Sequence, residues 1–431
     1  FLNTVEHWGD DETSTLYKEF RRTFRVPFPV FEGILQDAYA SGEFTDERKK
    51  KKGARATPLA LKIMGALKIM AVGCPISSVS LECGVSNGQL NPFFHAFTNW
   101  MVATYYDKYV YLPDKDELPL CEQVYRLLGL PGCFASMDGV HLAWDNCHAP
   151  LMPLYKGKEQ YPTVAYNVTS NHARRILCVN GPYPGSKNDK TMARMDAAIS
   201  KARNDNAYLE YEYPMYTSNG EGYTQKGAWI LCDGGYHRWC VTICGYKTAT
   251  KEGNPDTYYW SKRCEHVRKD AEDVFGILKQ RFRILRVPST LASEAKITAV
   301  FKTCCVIHNM LLDWDGLSDH GTLLSEWTTK DENDLRKSAY AVRLLNQKTS
   351  YKLITNPDGT PRVIRLTDDT TYASGLFSSA EEPDTVTETE SGYDEARCRL
   401  IEHFSFVKRS KSLLWMQTVA AAREAAAKQN M

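Results

Sequence analysis

Apolar residues recur at three- and four-residue steps over residues 268–286 (RKDAEDVFGILKQRFRILR), where Ala271, Val274, Ile277, Leu278 and Phe282 share one stripe. That spacing predicts a helix with one buried face. Upstream, residues 14–40 predict two short amphipathic helices broken at Pro27 and Pro29. Thr57 is a candidate N-cap, with Pro58 at the first helical position of LALKIMGALKIMAV, a core helix ended by Gly73. A shorter helix follows Pro75, Gly84 supplies a turn, and Ser86 opens another helix, which is helix-turn-helix grammar. No Lys or Arg occurs between Ser86 and Trp100, and Pro92 should kink or restart that helix. A packing scaffold is therefore expected there rather than a base reader.

After Pro131 the period shortens to two. CFASMDGVHLAW, PTVAYNVTS, ARRILCVNGPY and GAWILCDGG predict strands, with a helix from Asp189 (DKTMARMDAAISKA) before the last of them. The 268–286 helix comes next, then an amphipathic helix within 288–314. Beyond Asp315 the pattern is polar and irregular until a final helix expected over 394–428. The predicted fold class is α/β, with boundaries at 1–112 (helical), 113–315 (mixed sheet and helices) and 316–431 (an acidic, partly irregular extension ending in a helix).

Length of 431 residues suggests two or three units. A 43% hydrophobic and 24% charged composition is that of a globular protein, and an intracellular chain without a membrane span is expected. Thirteen cysteines form no CxxC pair, so reduced, buried thiols are expected. His237, Cys240, Cys244, Cys264 and His266 could be drawn as a zinc site, but their spacing follows no familiar pattern. The net charge of +1 conceals asymmetry: residues 48–55 carry six cations, residues 262–286 carry eight Lys/Arg against four acids, and residues 381–395 carry seven acids and no base. Local basic patches on a neutral chain suit a polyanion, and the acidic stretch should be mobile or cover a basic surface.

Three acids stand where chemistry would use them. Asp138 interrupts an apolar strand, where a charge is costly to bury without a partner. Asp233 ends a strand and is followed by Gly234 and Gly235, which permit close approach of a ligand. Glu272 lies on the following helix, one turn after Arg268. Carboxylates at strand ends and on a facing helix can converge on one or two Mg2+ ions. An Asp-Gly turn and an ordinary i, i+4 surface pair are the bland alternatives.

The blocks MDGVHLAW, YPGSKNDKT, LCDGGYHRW, RKDAEDVFGILKQRFRI and TCCVIHNMLL occur in that order, preceded by FRRTFRVPFPVFEGIL and PLALKIMGALKIMAVGCPISSVSLECGVS. Together they resemble the PIF/Harbinger transposases, in particular the plant-transposon-protein branch, over about residues 15–315. The resemblance implies a ribonuclease-H-like catalytic core, a mixed sheet flanked by helices, behind an all-helical N-terminal domain with a helix-turn-helix-like unit. It further implies a metal site of Asp138, Asp233 and Glu272 holding two Mg2+ (or Mn2+) ions. Asp189 is a further candidate ligand and an alternative second member of the triad; the strand order favours Asp233. Arg268, Lys279, Arg281 and Arg283 are the candidate contacts to DNA backbone.

A cut-and-paste transposase is the leading reading, acting on double-stranded DNA at terminal inverted repeats and in target DNA. A host-domesticated, catalytically silent DNA-binding or scaffold protein is the alternative, and a general nuclease fits the core but not the long helical N-terminus. The resemblance also implies a Myb-like helper protein that assists DNA binding and nuclear entry. A nuclear location after synthesis in the cytoplasm and a homo-oligomer are expected, with residues 48–52 a candidate nuclear signal.

Overall fold

The computed structural model describes residues 11–44, 57–317, 354–366 and 387–410. The basic run 48–55, the acidic residues 381–386 and the expected helix beyond residue 410 lie outside them.

Five helices come first: α1 (Thr15–Phe24), α2 (Phe28–Ala40), α3 (Leu59–Val72), α4 (Ile76–Cys83) and α5 (Asn87–Tyr109). Pro58, not Thr57, is the N-cap of α3, and the Thr57 hydroxyl bonds instead to Gln89. Gly84 closes α4 in the left-handed conformation that glycine adopts without strain. Pro92 neither ends nor restarts α5, which runs on for 23 residues. The burial of Leu90, Phe93, Phe94, Phe97 and Trp100 on that helix outweighs the backbone bond that proline removes. Its apolar side is thus spent on packing.

The sheet follows α6 (Leu118–Leu127), a helix the sequence pattern does not announce. Strands β1 (Cys133–Ala143), β2 (Thr163–Ser170) and β3 (Ile176–Pro184) form an antiparallel meander, with α7 (Met152–Tyr155) in the first connection. The expected helix from Asp189 is split into α8 (Asp189–Arg194) and α9 (Ala197–Asn204). The break arises because Asp196 accepts from the Ala198 and Ile199 amides and caps a new helix. After α10 (Asn206–Leu209) and the hairpin β4 (Glu212–Tyr216) and β5 (Gly222–Lys226), the chain returns as β6 (Trp229–Leu231) and β7 (Thr242–Ile243). The main sheet has the order β3-β2-β1-β6-β7, with β6 parallel to β1 and β7 parallel to β6. This five-stranded mixed sheet flanked by helices is consistent with a ribonuclease-H-like core.

Helix α11 (Pro255–Arg281) starts on Asn254, whose side chain accepts from the Thr257 amide, well before the expected start at 268, and ends before 286; of the expected stripe it buries Ala271, Val274 and Leu278, with Phe282 buried at its C-cap and Ile277 only half-buried. Helix α12 (Glu294–Trp314) is, against expectation, long and apolar enough to cross a membrane, but 78% of its most apolar window is buried within the fold. It is a core helix. Strand β8 (Val363–Arg365) joins β5 in a small second sheet, and α13 (Tyr393–Arg409) ends the described chain.

One apolar cluster runs from Phe31, Ile63 and Phe97 through Val140 and Val168 of the sheet to Val274 and Ile307. The N-terminal helices therefore share a core with the sheet, and Thr303 of α12 donates to the Thr98 carbonyl of α5. A second cluster joins Trp229 and Trp260 to Leu366, Tyr393, Leu400 and Phe404, so the C-terminal segments are structural too. All thirteen cysteines are free thiols.

Candidate catalytic site

Asp138 sits in β1 opposite Val168 of β2. Its Oδ1 accepts from the Gly139 amide at 2.9 Å and its Oδ2 from Arg268 at 2.9 Å. Burial pushes its carboxyl up to about 6; Arg268 and the Gly139 amide pull against that rise, while the neighbouring Asp233 and Asp189 add to it. Asp189 is the first residue of α8, where the helix dipole favours an anion. Burial and then Asp233 raise its pKa, with Lys158 and Lys247 opposing. Asp233 follows β6 and accepts from the Gly235 amide at 2.6 Å.

Two glycines show how close these groups are. A Cβ on Gly235 would stand 2.8 Å from Asp189 Oδ2 and 2.9 Å from Asp233 Oδ1, and one on Gly139 would stand 3.1 Å from Asp189 Oδ1. Glycine is required so that the carboxylates can face one another across the backbone. Glu272 joins from α11: Arg268 holds it at 2.7 Å with one nitrogen while holding Asp138 with another. Burial works against the Arg268 charge, yet Asp138, Glu272 and Asp233 more than offset it and raise its pKa. Arg268 thus joins Asp138 of β1 to Glu272 of α11, with Asp233 after β6 close enough to add to its charge stabilisation, while Asp189 of α8 faces Asp233 across Gly235.

Supports behind the site fix the Asp233 loop. Asn167 of β2 donates to buried Asp196 at 2.7 Å and accepts from Tyr236. From the C-terminal segment, Glu388 accepts from Trp239 at 3.0 Å and pairs with Arg194 at 2.9 Å. Glu390 pairs with Arg203 at 2.8 Å and accepts from the Cys240 amide at 2.7 Å. These two acids of the 381–395 stretch cover a basic surface. The 130-residue gap between Arg268 and Asp138, and the lysines Lys158 and Lys247 near Asp189, leave no signal in sequence.

The other candidates are dispersed. Lys279 is half-buried, its pKa lowered by burial against the pull of Glu159, and it lies near His141 of β1. Arg281 bonds to His308 at 3.1 Å, while Arg283 is exposed in the turn after α11. Cys244 bonds to Tyr393, and His237 accepts from the Glu388 amide. Among the described residues no three His, Cys, Asp or Glu side chains close into a ready-made metal cage, the proposed zinc set and the four acids included.

Residues 107–318 match the family model described as plant transposon protein. This part of the chain is similar to that family. Protein ALP1-like of Arabidopsis thaliana is 19% identical over 354 residues, covering 80% of this chain and 83% of that protein. No solved structure matches the chain. These likenesses support a transposase-derived nuclease, and Asp138, Asp189, Asp233 and Glu272 lie within the matched residues.

Proposed function

We propose that this chain is a divalent-metal-dependent transposase of the Asp-Asp-Glu type, which cleaves transposon ends and transfers the freed 3′ hydroxyl strand into target DNA. The observations that carry this reading are the bridging of Asp138 and Glu272 by Arg268 and, beside it, the facing of Asp189 and Asp233 across Gly235.

The donor set fits a hard ion. All four ligands are carboxylates, and Asp138 and Asp189 both carry raised pKa values to which Asp233 contributes, a repulsion that a cation relieves. Asp138, Asp189 and Asp233 would hold Mg2+ or Mn2+, with Glu272 at the rim. When bound, such ions supply charge to the developing oxyanion and acidify the attacking water or hydroxyl. Arg268 orients Asp138 and Glu272. Gly139 and Gly235 keep the space between acids clear of side chains, and Lys279, Lys158 and Lys247 give the rim a positive charge suited to backbone phosphates. Because Asp138 holds its proton up to about pH 6, activity should fall as pH drops through that value.

A second reading, a domesticated scaffold, draws on the same arginine, which already neutralises two of the acids without any ion. The two separate on one assay: full-length protein, Mg2+, and labelled duplexes with and without a terminal repeat. Specific end cleavage that is lost in Asp138→Asn, Asp233→Asn and Glu272→Gln supports the transposase. Specific binding without cleavage supports the scaffold, and cleavage of both duplexes alike supports a general nuclease.

A further inference from the structure

On the other side of α11 lies a second cleft, formed with α1 and lined by Arg21, Arg22, Arg25, Gln280 and Arg281. Arg281 lies nine positions after Glu272 on α11, which at about 3.6 residues per turn puts it about half a turn round the helix from that acid. The cleft is therefore separate from the carboxylate site.

Its charges are only half answered. Asp315 accepts from Arg21 with both oxygens, at 2.7 and 2.6 Å, and Glu19 pairs with Arg22 at 2.8 Å. Arg281 donates to His308, which burial holds neutral by lowering its pKa to about 4. Arg25 ends α1 in the left-handed conformation, φ 64°, and its buried Nε has no hydrogen-bond partner among the described residues. Burial lowers the pKa of Arg281; Asp315 opposes that fall, and Arg21 and Arg25 add to it. Four guanidinium groups facing two carboxylates, among the described residues, form a site that an oxyanion would complete with charge-assisted bonds.

We propose that this cleft binds phosphate groups of a nucleic-acid backbone, as a second DNA contact remote from the cleavage centre. Guanidinium forks recognise phosphate geometry. Among the described residues the cleft offers no aromatic side chain on which a base or nucleoside could stack, so it recognises phosphate alone and reads no sequence. Arg21 and Arg25 stand one helical turn apart, a row of donors rather than a pocket for a single ion. The proposal rests on the DNA-processing reading above.

The test is anisotropy of a labelled duplex with the full chain between 50 and 200 mM NaCl. Arg22→Gln/Arg25→Gln should weaken every sequence alike, about tenfold at 100 mM, and reduce the salt slope by about one to two. Arg22→Glu alone, on a side chain 74% exposed that can be changed without disturbing the fold, should act in the same direction. Superimposable curves for wild type and both variants, with cleavage retained, would overturn this inference and leave the nuclease reading standing. A wild type that binds no duplex overturns both. Calorimetric titration with inorganic pyrophosphate separates the sources: pyrophosphate binding that the double variant abolishes, while duplex affinity stays unchanged, would assign the cleft to a small phosphate compound and sink the DNA proposal.

Discussion

Arg268→Gln tests whether the guanidinium at the centre of the acids stands where a cation is needed. Its side chain is 19% exposed and bonds to Asp138 (22% exposed) and Glu272 (48% exposed). Breaking a buried pair costs about 3–5 kcal/mol, whereas an exposed pair contributes under about 1. With the Glu272 arm discounted for solvent and the Asp138 arm partly so, the loss should be about 2–3 kcal/mol, a melting shift of about 2–3 °C for a chain of this size. The sign with pH follows from Asp138. In the variant its ionised form loses its main stabiliser, so the loss should be small near pH 5, where the carboxyl is protonated, and full near pH 8. Divalent ions give the second arm. Ten millimolar Mg2+ at a Kd of about 1 mM stabilises by about 1.4 kcal/mol, and this gain should be larger in Arg268→Gln, where no arginine competes for Asp138 and Glu272. Differential scanning fluorimetry in EDTA and in Mg2+ at both pH values reads all four quantities. A variant that melts with wild type in EDTA at pH 8, or gains no more from Mg2+ than wild type does, would refute the reasoning.

Three further expectations can be checked on the same protein. The folded pKa of Asp138 lies above its ordinary value of 3.8, so its contribution to stability is complete below about pH 4 and is lost as pH rises through 6; Asp138→Asn, which never ionises, should therefore gain melting temperature relative to wild type between pH 4 and 7 in EDTA, and a pH-independent difference would count against the raised pKa. Gly235→Ala drives a methyl to within 2.9 Å of both the Asp189 and Asp233 carboxylates, so it should cost about 1–3 kcal/mol and abolish Mg2+ stabilisation; an unchanged Mg2+ response would show that these two acids do not act together. Ending the chain after residue 317 removes Tyr393, Leu400 and Phe404 from the core around Trp229 and Trp260, together with Glu388 and Glu390, so no cooperative melt should be seen by circular dichroism; a melt near that of the full chain would mean the C-terminal segment is merely draped on the surface.

Much of the fold was legible because its periodic signals are strong: β1, β2, β3 and β6, and helices α3 and α12, lie where the apolar pattern sets them, and the central part of α11 does, though that helix begins at Pro255. Where the structure departs from that pattern, a local rule conceals a distant partner. Helix α6 follows the acid-rich DKDE and carries Pro119 in its first turn, which reads as loop until Cys121, Val124 and Tyr125 are seen buried against the sheet. Pro214 demotes β4 on sequence grounds, yet β4 is an edge strand, where a missing amide does no harm. Strand β8 pairs with β5 across more than a hundred intervening residues, and nothing in either run announces it. Asp196 lies within an apparently continuous helical pattern, and only the amides of Ala198 and Ile199 reveal it as a cap.

The site shows the same division between what each acid says alone and what it means in company. Asp138, Asp189, Asp233 and Glu272 could each be picked out locally, by a charge in an apolar strand, a helix start, an Asp-Gly-Gly end and a helical stripe. None of those signals contains the guanidinium that joins two of them, nor the supports that hold the third. Asp233 is kept in place from behind by Tyr236 on Asn167 and by Glu388 on Trp239, and Glu388 belongs to a stretch whose composition suggested only an acidic cover. Buried pairs of that kind contribute little net stability when intact and cost several kcal/mol when one member is lost. Selection on the Asp233 loop would therefore act through residues 150 positions away in sequence. The C-terminal extension is in this sense part of the architecture around the acids, since it braces the loop that carries Asp233.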